Sequence, residues 1–264
     1  MLLTLAARSL RSLISANGEG SLSLLDMPAF TIREFQLRGM NIAASMLAGR
    51  SLEYLDTLRD QGDKTGCPCL VLVEDIPLSF LSADPQVAID SAERVRRLAV
   101  AGNRLGCNAL AIRCAAPDTD EAFDDTAAEL KDVMPAVEQL ELNLLIAPHQ
   151  GLTERTDRLT DLLKRIGGFR IGSLPDFGHA AATGDLVNSL RKLAPYAGAV
   201  HATVEGFDKK GRHEKFDLAD GVAAIKSVGF LNTLAIDYVG TGDAIANIEK
   251  ARAMLAEAIE AADA

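Results

Sequence analysis

The segment LNLLIAPHQGLTERTDRLTDLLKRIGGFRIGSLPDFGH, residues 142–179, contains a strand-helix-strand pattern. Two short apolar runs, Leu142–Ala147 and Arg170–Leu174, stand at either end of a longer stretch of mixed polarity that closes on Gly167 and Gly168. A short apolar run followed by a helical stretch that ends on glycine is typical of a parallel β-α unit. The segment therefore predicts two parallel strands joined by a helix.

The same alternation extends along the whole chain, with a spacing of about 30 residues between strands. The predicted strands are Leu2–Ala7, Met40–Ala44, Cys69–Val73, Ala109–Cys114, Leu142–Ala147, Arg170–Leu174, Ala199–Val204 and Leu234–Val239. Eight strands that are each followed by a helix predict an α/β fold of the closed (β/α)8 type, a TIM barrel. No linker or composition break divides the sequence, so residues 1–264 are predicted to form a single domain.

Charge and hydropathy narrow the class of partner. The chain has 37 acidic and 27 basic residues and a formal net charge of −10. Nucleic-acid binding depends on Lys and Arg displacing counterions from phosphates, so we predict no nucleic-acid partner. No apolar run reaches the ~18 residues of a membrane-spanning helix, and we predict no membrane partner either.

The cysteines and the first residues bear on the compartment. The cysteines show no C-x-x-C spacing and are predicted to be reduced, buried residues of a cytoplasmic protein, with Cys67-Pro68-Cys69 as an alternative metal pair. The first segment contains Arg8 and Arg11 and no acid before Glu19, a pattern that resembles a transit peptide. Its apolar part also suits a first strand, and we favour the strand.

Alternation within the strands assigns side chains to two faces of the barrel. The isoleucines at 112, 146 and 236 share one face, which we assign to the helices. The opposite face then carries Arg113, Ala147 and Asp237 at the carboxyl ends of their strands. Active sites of such barrels lie at that end, so these positions are expected to surround a site.

Polar residues follow several of the same strand ends. His149 lies two residues beyond Ala147, Asp176 follows the sixth strand, and His201 lies in the seventh. Convergent Asp and His side chains could bind a divalent cation. Asp176 could equally be the N-cap of the next helix, and His201 a hydrogen-bonded residue of the core.

Several other polar residues are candidates for the site or for its surroundings. Arg113 could hold a substrate hydroxyl, carbonyl or phosphate, or could neutralise nearby Asp residues. The stretch VGTGD, residues 239–243, could cradle a phosphate, but a plain helix start with Asp243 as N-cap is favoured. Glu74 and Asp75 compete for one inward position. His213, within DKKGRHEKFD, is predicted to lie on a solvated loop.

Three stretches carry a family resemblance: SLPDFGH at 173–179, KLAPYAGAVHATVEGFDKKGRHEKFDLADG at 192–221, and LAIDYVGTGDAIANIEKAR at 234–252. They resemble the xylose isomerase-like TIM barrels known as sugar phosphate isomerases/epimerases, and the likeness spans nearly the whole chain. Such proteins hold Mn, Mg, Co or Zn by a Glu, an Asp, a His and a Glu from strands five to eight. The resemblance implies metal-ligand roles for Asp176 and His201 and a substrate contact for His179.

The chain departs from this family at three positions. Ala147 and Asp237 stand where the family usually has the two glutamates that bind the metal and move a proton, and Asn41 stands where a glutamate is frequent. Ala147 can neither bind a metal nor accept a proton. The resemblance then implies a reduced site of three ligands, Asp176, His201 and Asp237, with water completing the shell.

The predicted function is that of a sugar or sugar phosphate isomerase or epimerase acting on a small carbohydrate, with a divalent metal as cofactor. Arg113 and His179 are predicted to bind substrate, and the general base is predicted to be His149, Asp237 or Glu205. Barrels of this family often pair, which is compatible with a homodimer. The alternative is a catalytically inactive carbohydrate-binding or scaffold barrel, and the same fold could also host lyase chemistry.

Overall fold

A computed structural model describes residues 1–14 and 22–263 of the chain. Its eight strands are β1 Leu2–Ala6, β2 Met40–Ala43, β3 Cys69–Val73, β4 Ala109–Arg113, β5 Asn143–Ala147, β6 Ile171–Ser173, β7 Ala199–Val204 and β8 Thr233–Tyr238. All the predicted strands are present, each within one residue of its expected bounds. The rest of the first segment, residues 15–21, lies outside the described residues.

All strand pairs of the sheet are parallel, in the order β6-β5-β4-β3-β2-β1-β8-β7. The two edge strands, β6 and β7, are brought together by single bridges rather than by a full ladder. Ser173 bridges Ala197, and Asp176 bridges His201, whose N–H donates to the carbonyl of Pro175 at 2.9 Å. The predicted (β/α)8 barrel is thus confirmed, and the bridge from Asp176 to His201 joins two of its candidate site residues.

Helices follow the strands around the barrel. They are α1 Met27–Phe35, α2 Leu52–Thr65, α3 Pro85–Arg104, α4 Asp120–Gln139, α5 Thr156–Ile166, α6 Phe177–Ala182, α7 Leu186–Leu193, α8 Leu218–Lys226 and α9 Ala244–Ala261. Short 3₁₀ helices span Ala7–Leu13, Ala44–Leu47 and Ala194–Tyr196. The predicted N-cap Asp243 begins α9, since its carboxylate accepts the N–H of Ala246 at 3.2 Å.

The hydrophobic core has two layers that follow the predicted alternation. Ile112, Ile146 and Ile236 belong to the large layer between the strands and the helices, and all three are fully buried. The interior of the barrel is a smaller cluster whose members are Val71, Val73, Ala109, Ala111, Leu145, Ala147, Leu174 and Ala199. The predicted assignment of the two faces is therefore confirmed.

The cysteines lie in the packed interior, as predicted: all four are buried and free. Burial raises the pKa of the Cys67 thiol to about 11 and that of Cys69 to about 12, so both remain protonated at neutral pH. Among the described residues, no helix is both long and apolar enough to cross a membrane.

The expectation for His213 is wrong, because its side chain is buried rather than solvated. Its ring packs against Phe207 and Phe216, with centroids 6.1 and 4.3 Å away. Nδ1 lies 3.2 Å from the carbonyl of Phe216, and Nε2 accepts the N–H of Glu205 at 3.4 Å. The charged residues around His213 mark the loop surface, whereas the histidine anchors the loop beneath it.

Candidate active site

A cavity of about 240 Å³ opens at the carboxyl ends of β4 to β7. Its polar lining includes Arg8, Arg113, His149, Asp176, His179 and His201. A larger cavity of about 810 Å³ lies at the opposite end of the barrel, beside the first residues of β4, β5 and β6. We take the smaller cavity as the candidate site because active sites of these barrels form at the carboxyl ends of the strands.

Asp176 has both of the roles that its sequence allowed. Its Oδ1 accepts the N–H of His179 at 2.7 Å, which makes it the N-cap of α6. Its Oδ2 accepts a short hydrogen bond from the hydroxyl of Thr203 on β7. The carboxylate therefore lines the cavity while being held from two sides.

His201 lies deeper in the barrel, between Asn41 and Asp237. Its Nε2 accepts the amide N–H of Asn41 at 3.0 Å, so in this tautomer the proton is on Nδ1. Nδ1 faces Asp237 Oδ2 at 3.4 Å. Both ring nitrogens of this buried histidine are thus engaged.

Asp237 forms a two-point ion pair with Arg8, which follows β1. Arg8 Nε donates to Oδ1 at 2.8 Å, and Nη2 donates to Oδ2. The Asp237 carboxylate is completely buried, and burial alone would raise its pKa. The hydrogen bonds from Arg8 and His201 outweigh that effect and hold the pKa of Asp237 well below its ordinary value, so it is ionised.

Arg113, His149 and His179 form the outer part of the cavity lining. Burial, followed by the charge of Arg113, lowers the pKa of His149 below its ordinary value, which leaves a neutral imidazole at neutral pH. His179 Nε2 lies 3.1 Å from the carbonyl oxygen of Glu154. A carbonyl can only accept, so Nε2 of His179 donates this hydrogen bond.

Two of the predicted catalytic residues do not line this cavity. Asp237 is sealed beneath it by Arg8, and Glu205 lies outside it, where its carboxylate pairs with Lys215 at 2.8 Å. Neither Glu205 nor Glu74 replaces the missing carboxylate at Ala147. Glu74 is buried against Arg94, with Oε2 2.5 Å from Nε.

Sequence reasoning missed Arg8 and Thr203 as parts of the site. Thr203 lies two residues after His201 on β7, so strand alternation alone could have placed both on the inner face. Arg8 follows the end of β1 just as Arg113 ends β4, and that parallel was the available signal. The sequence drew attention to Arg8 only as a positive charge near the first residue.

The three predicted metal ligands do meet in space. One potential ligand atom each from Asp176, His201 and Asp237 lies within 4.8 Å of the others. Their donor atoms, however, already have protein partners, and a divalent cation would have to displace the Arg8 guanidinium from Asp237 against its positive charge. As arranged, these residues do not fit a resident divalent cation.

The chain belongs to the xylose isomerase-like TIM barrel family, whose sequence pattern matches residues 32–263. None of the curated proteins gives a significant match. The fold is similar to that of an L-ribulose 3-epimerase, at a TM-score of 0.83 and 17% identity over 99% of this chain and 95% of that one.

Two other solved structures share the fold. The IOLI protein, solved with a bound zinc atom, has a TM-score of 0.76 and 13% identity, over 99% of both chains. A D-psicose 3-epimerase from Clostridium cellulolyticum H10, solved with D-tagatose, has a TM-score of 0.74 and 14% identity, over 99% of this chain and 96% of that one. Identities this low establish a common barrel and leave the chemistry to the residues of the cavity.

Proposed function

We propose that this protein is a carbohydrate isomerase or epimerase that acts on a small sugar or sugar phosphate in the cavity at the carboxyl ends of β4 to β7. One observation carries the proposal: a neutral histidine, His149, and the guanidinium of Arg113 line the same small cavity. A base beside a fixed cation is what proton transfer next to a carbonyl requires. The epimerase activities of the structural neighbours agree with this chemistry.

In the proposed reaction, His149 takes a proton from the carbon next to the substrate carbonyl. The C–H electrons become the new double bond, and the carbonyl electrons move onto the oxygen. The guanidinium groups of the lining, Arg113 among them, stabilise the resulting negative charge. Isomerisation is completed when His149 returns the proton to the neighbouring carbon and the hydroxyl proton of that carbon passes to the former carbonyl oxygen. Epimerisation is completed when a proton from solvent adds to the opposite face of the same carbon. His179 and Asp176 are positioned in the lining to contact substrate hydroxyls.

The cofactor prediction of Mn, Mg, Co or Zn has some support in the zinc of the IOLI protein. The engaged donor atoms of Asp176, His201 and Asp237 argue against it here. We therefore propose turnover that is independent of a divalent metal.

The second candidate is a barrel that binds a carbohydrate without turnover, or acts as a scaffold. Ala147 and the sequestered Asp237 favour it, because the family's two carboxylates are both unavailable for proton transfer. The two candidates differ in a measurable way, since an inactive barrel would bind ligand without exchanging any carbon-bound hydrogen.

The test is a panel of ketoses and their phosphates incubated with the protein in D₂O and followed by proton NMR. The isomerase proposal predicts loss of the signal from the carbon beside the carbonyl. His149→Ala should abolish that loss, whereas Glu205→Gln should retain it, since Glu205 lies outside the cavity. If calorimetry detects sugar binding and NMR detects no hydrogen exchange with any sugar of the panel, the protein is a carbohydrate-binding barrel and not an isomerase.

The remaining predictions concern location and assembly. A cytoplasmic location is proposed from the four buried free thiols, which a reducing compartment would preserve. A homodimer is proposed only by analogy with other barrels of the family. Light scattering on the purified protein would measure its mass, and 28.1 kDa would indicate a monomer.

A further inference from the structure

We propose that the guanidinium of Arg8 takes the place of the divalent cation and binds the substrate carbonyl oxygen directly. This inference rests on the proposed function for its substrate, but its structural part concerns only the residues of this chain. The pairing of two strands fixes the position of Arg8. β1 pairs in parallel with β8, and Leu5 lies opposite Ile236. Arg8, two residues beyond the end of β1, is thereby brought beside Asp237.

The hydrogen bonds to Asp237 use one edge of the Arg8 guanidinium and leave the N–H groups of the other edge for a further acceptor. A guanidinium has five N–H groups, and here Nε and Nη2 each donate one to Asp237. No other hydrogen bond of the Arg8 side chain is formed with the described residues. Because Arg8 also lines the cavity, its remaining N–H groups are available to a substrate oxygen.

Asp237 is the positioning residue for this cation. Its buried carboxylate fixes the guanidinium through two parallel hydrogen bonds, and His201 backs the same carboxylate, held in turn by Asn41. Two of the three residues that would ligate a cation, His201 and Asp237, thus form a chain that orients Arg8 instead. The absence of a carboxylate at position 147 agrees with this role, since a further acid would compete for the arginines.

The chemistry requires no co-reactant. As the base removes the proton from the neighbouring carbon, the charge that develops on the carbonyl oxygen is met by N–H groups that already point from a fixed cation. Preorganised donors of this kind need no reorganisation during the reaction. Arg113 would then be free to hold a second substrate oxygen.

The test compares wild type, Arg8→Ala and Arg11→Ala in thermal-shift titrations with Mn²⁺ and Zn²⁺, with elemental analysis after removal of excess metal. Arg11 is the matched control, because it lies in the same 3₁₀ helix but contacts Asp75 and Ser45 rather than Asp237. Wild type and Arg11→Ala should show no metal-dependent shift. Arg8→Ala should bind metal. Its Tm with metal at 100 times the Kd should be about 5 °C higher than its Tm without metal.

Arg8→Gln is a second test that does not depend on the folding of Arg8→Ala. It removes the charge but keeps most of the side chain, and it should also gain metal binding. Near-stoichiometric metal in wild type would overturn the proposal, and so would the absence of metal binding in both Arg8 variants. The exchange assay supplies the other arm, where Arg8→Ala should lower kcat by about 100-fold. If wild type exchanges no sugar hydrogen, the proposed function fails. The metal titration would still test whether the Arg8 guanidinium occupies the position of the divalent cation.

Discussion

Replacing Arg8 by Met tests how strongly the buried Asp237 depends on its partner. The variant keeps an unbranched apolar stem but removes the positive charge. Asp237 is 0% exposed, whereas the Arg8 side chain is 29% exposed. The substitution therefore leaves the buried carboxylate with His201 as its one remaining side-chain partner among the described residues.

The expected cost follows from that burial. Removing one partner of a buried ion pair costs about 3–5 kcal/mol, and the partial exposure of Arg8 places this pair near the lower figure. An unfolding entropy of ~2.1 cal/mol/K per residue over 264 residues gives roughly 0.55 kcal/mol/K. A loss of ~3 kcal/mol should then lower Tm by about 5 °C.

Urea unfolding and calorimetry would measure this loss, both with a chelator present so that no added cation replaces the guanidinium. The double variant Arg8→Met/Asp237→Leu is the control, since an apolar pair of similar volume should recover most of the stability. A decrease below about 1 °C for Arg8→Met would refute the reasoning, because it would rank the pair with exposed salt bridges.

Three further changes have definite expectations. The pKa of Asp237 is held well below its ordinary value, so its stabilising effect is complete above about pH 5, begins to fall near the ordinary carboxyl pKa and is lost only below the lower pKa of the folded protein. The difference in unfolding free energy between wild type and Asp237→Asn should therefore begin to shrink below about pH 4. Gly221→Ala would place a Cβ 2.4 Å from Cε2 of Phe177 and should cost about 1–3 kcal/mol in urea unfolding, and no loss would show that the aromatic ring is free to move. Arg113→Gln should weaken sugar binding by about 10–100-fold in calorimetry while leaving Tm nearly unchanged, whereas a large fall in Tm would make Arg113 structural.

The barrel could be predicted from sequence because every strand carries its own signal. Apolar runs such as Ala109–Arg113 stand between helical stretches that end on glycine or on a polar turn, and alternation within them separates the helix-facing Ile112 from the inward Arg113. Asp176 and His201 could be found by the same logic, since both follow or lie in inward strand ends. Local pattern was sufficient wherever the side chain's place depended on its own strand.

Arg8 and His213 could not be placed by local pattern. The partner of Arg8 is 229 residues away and is reached only when β1 and β8 pair to complete the barrel. His213 is surrounded by charged residues in sequence but is enclosed by two aromatic rings contributed by its own loop. In both cases the surroundings of the side chain are set by tertiary packing, which the spacing of residues along the sequence does not predict.

Solvent-deuterium exchange over the ketose panel, run once with a chelator and once with added Mn²⁺, tests the central claim most directly. A site organised around arginine predicts that wild type exchanges the hydrogen beside the carbonyl equally well with the chelator. Exchange that appears only with added metal, or no exchange under either condition, would contradict a metal-independent sugar isomerase.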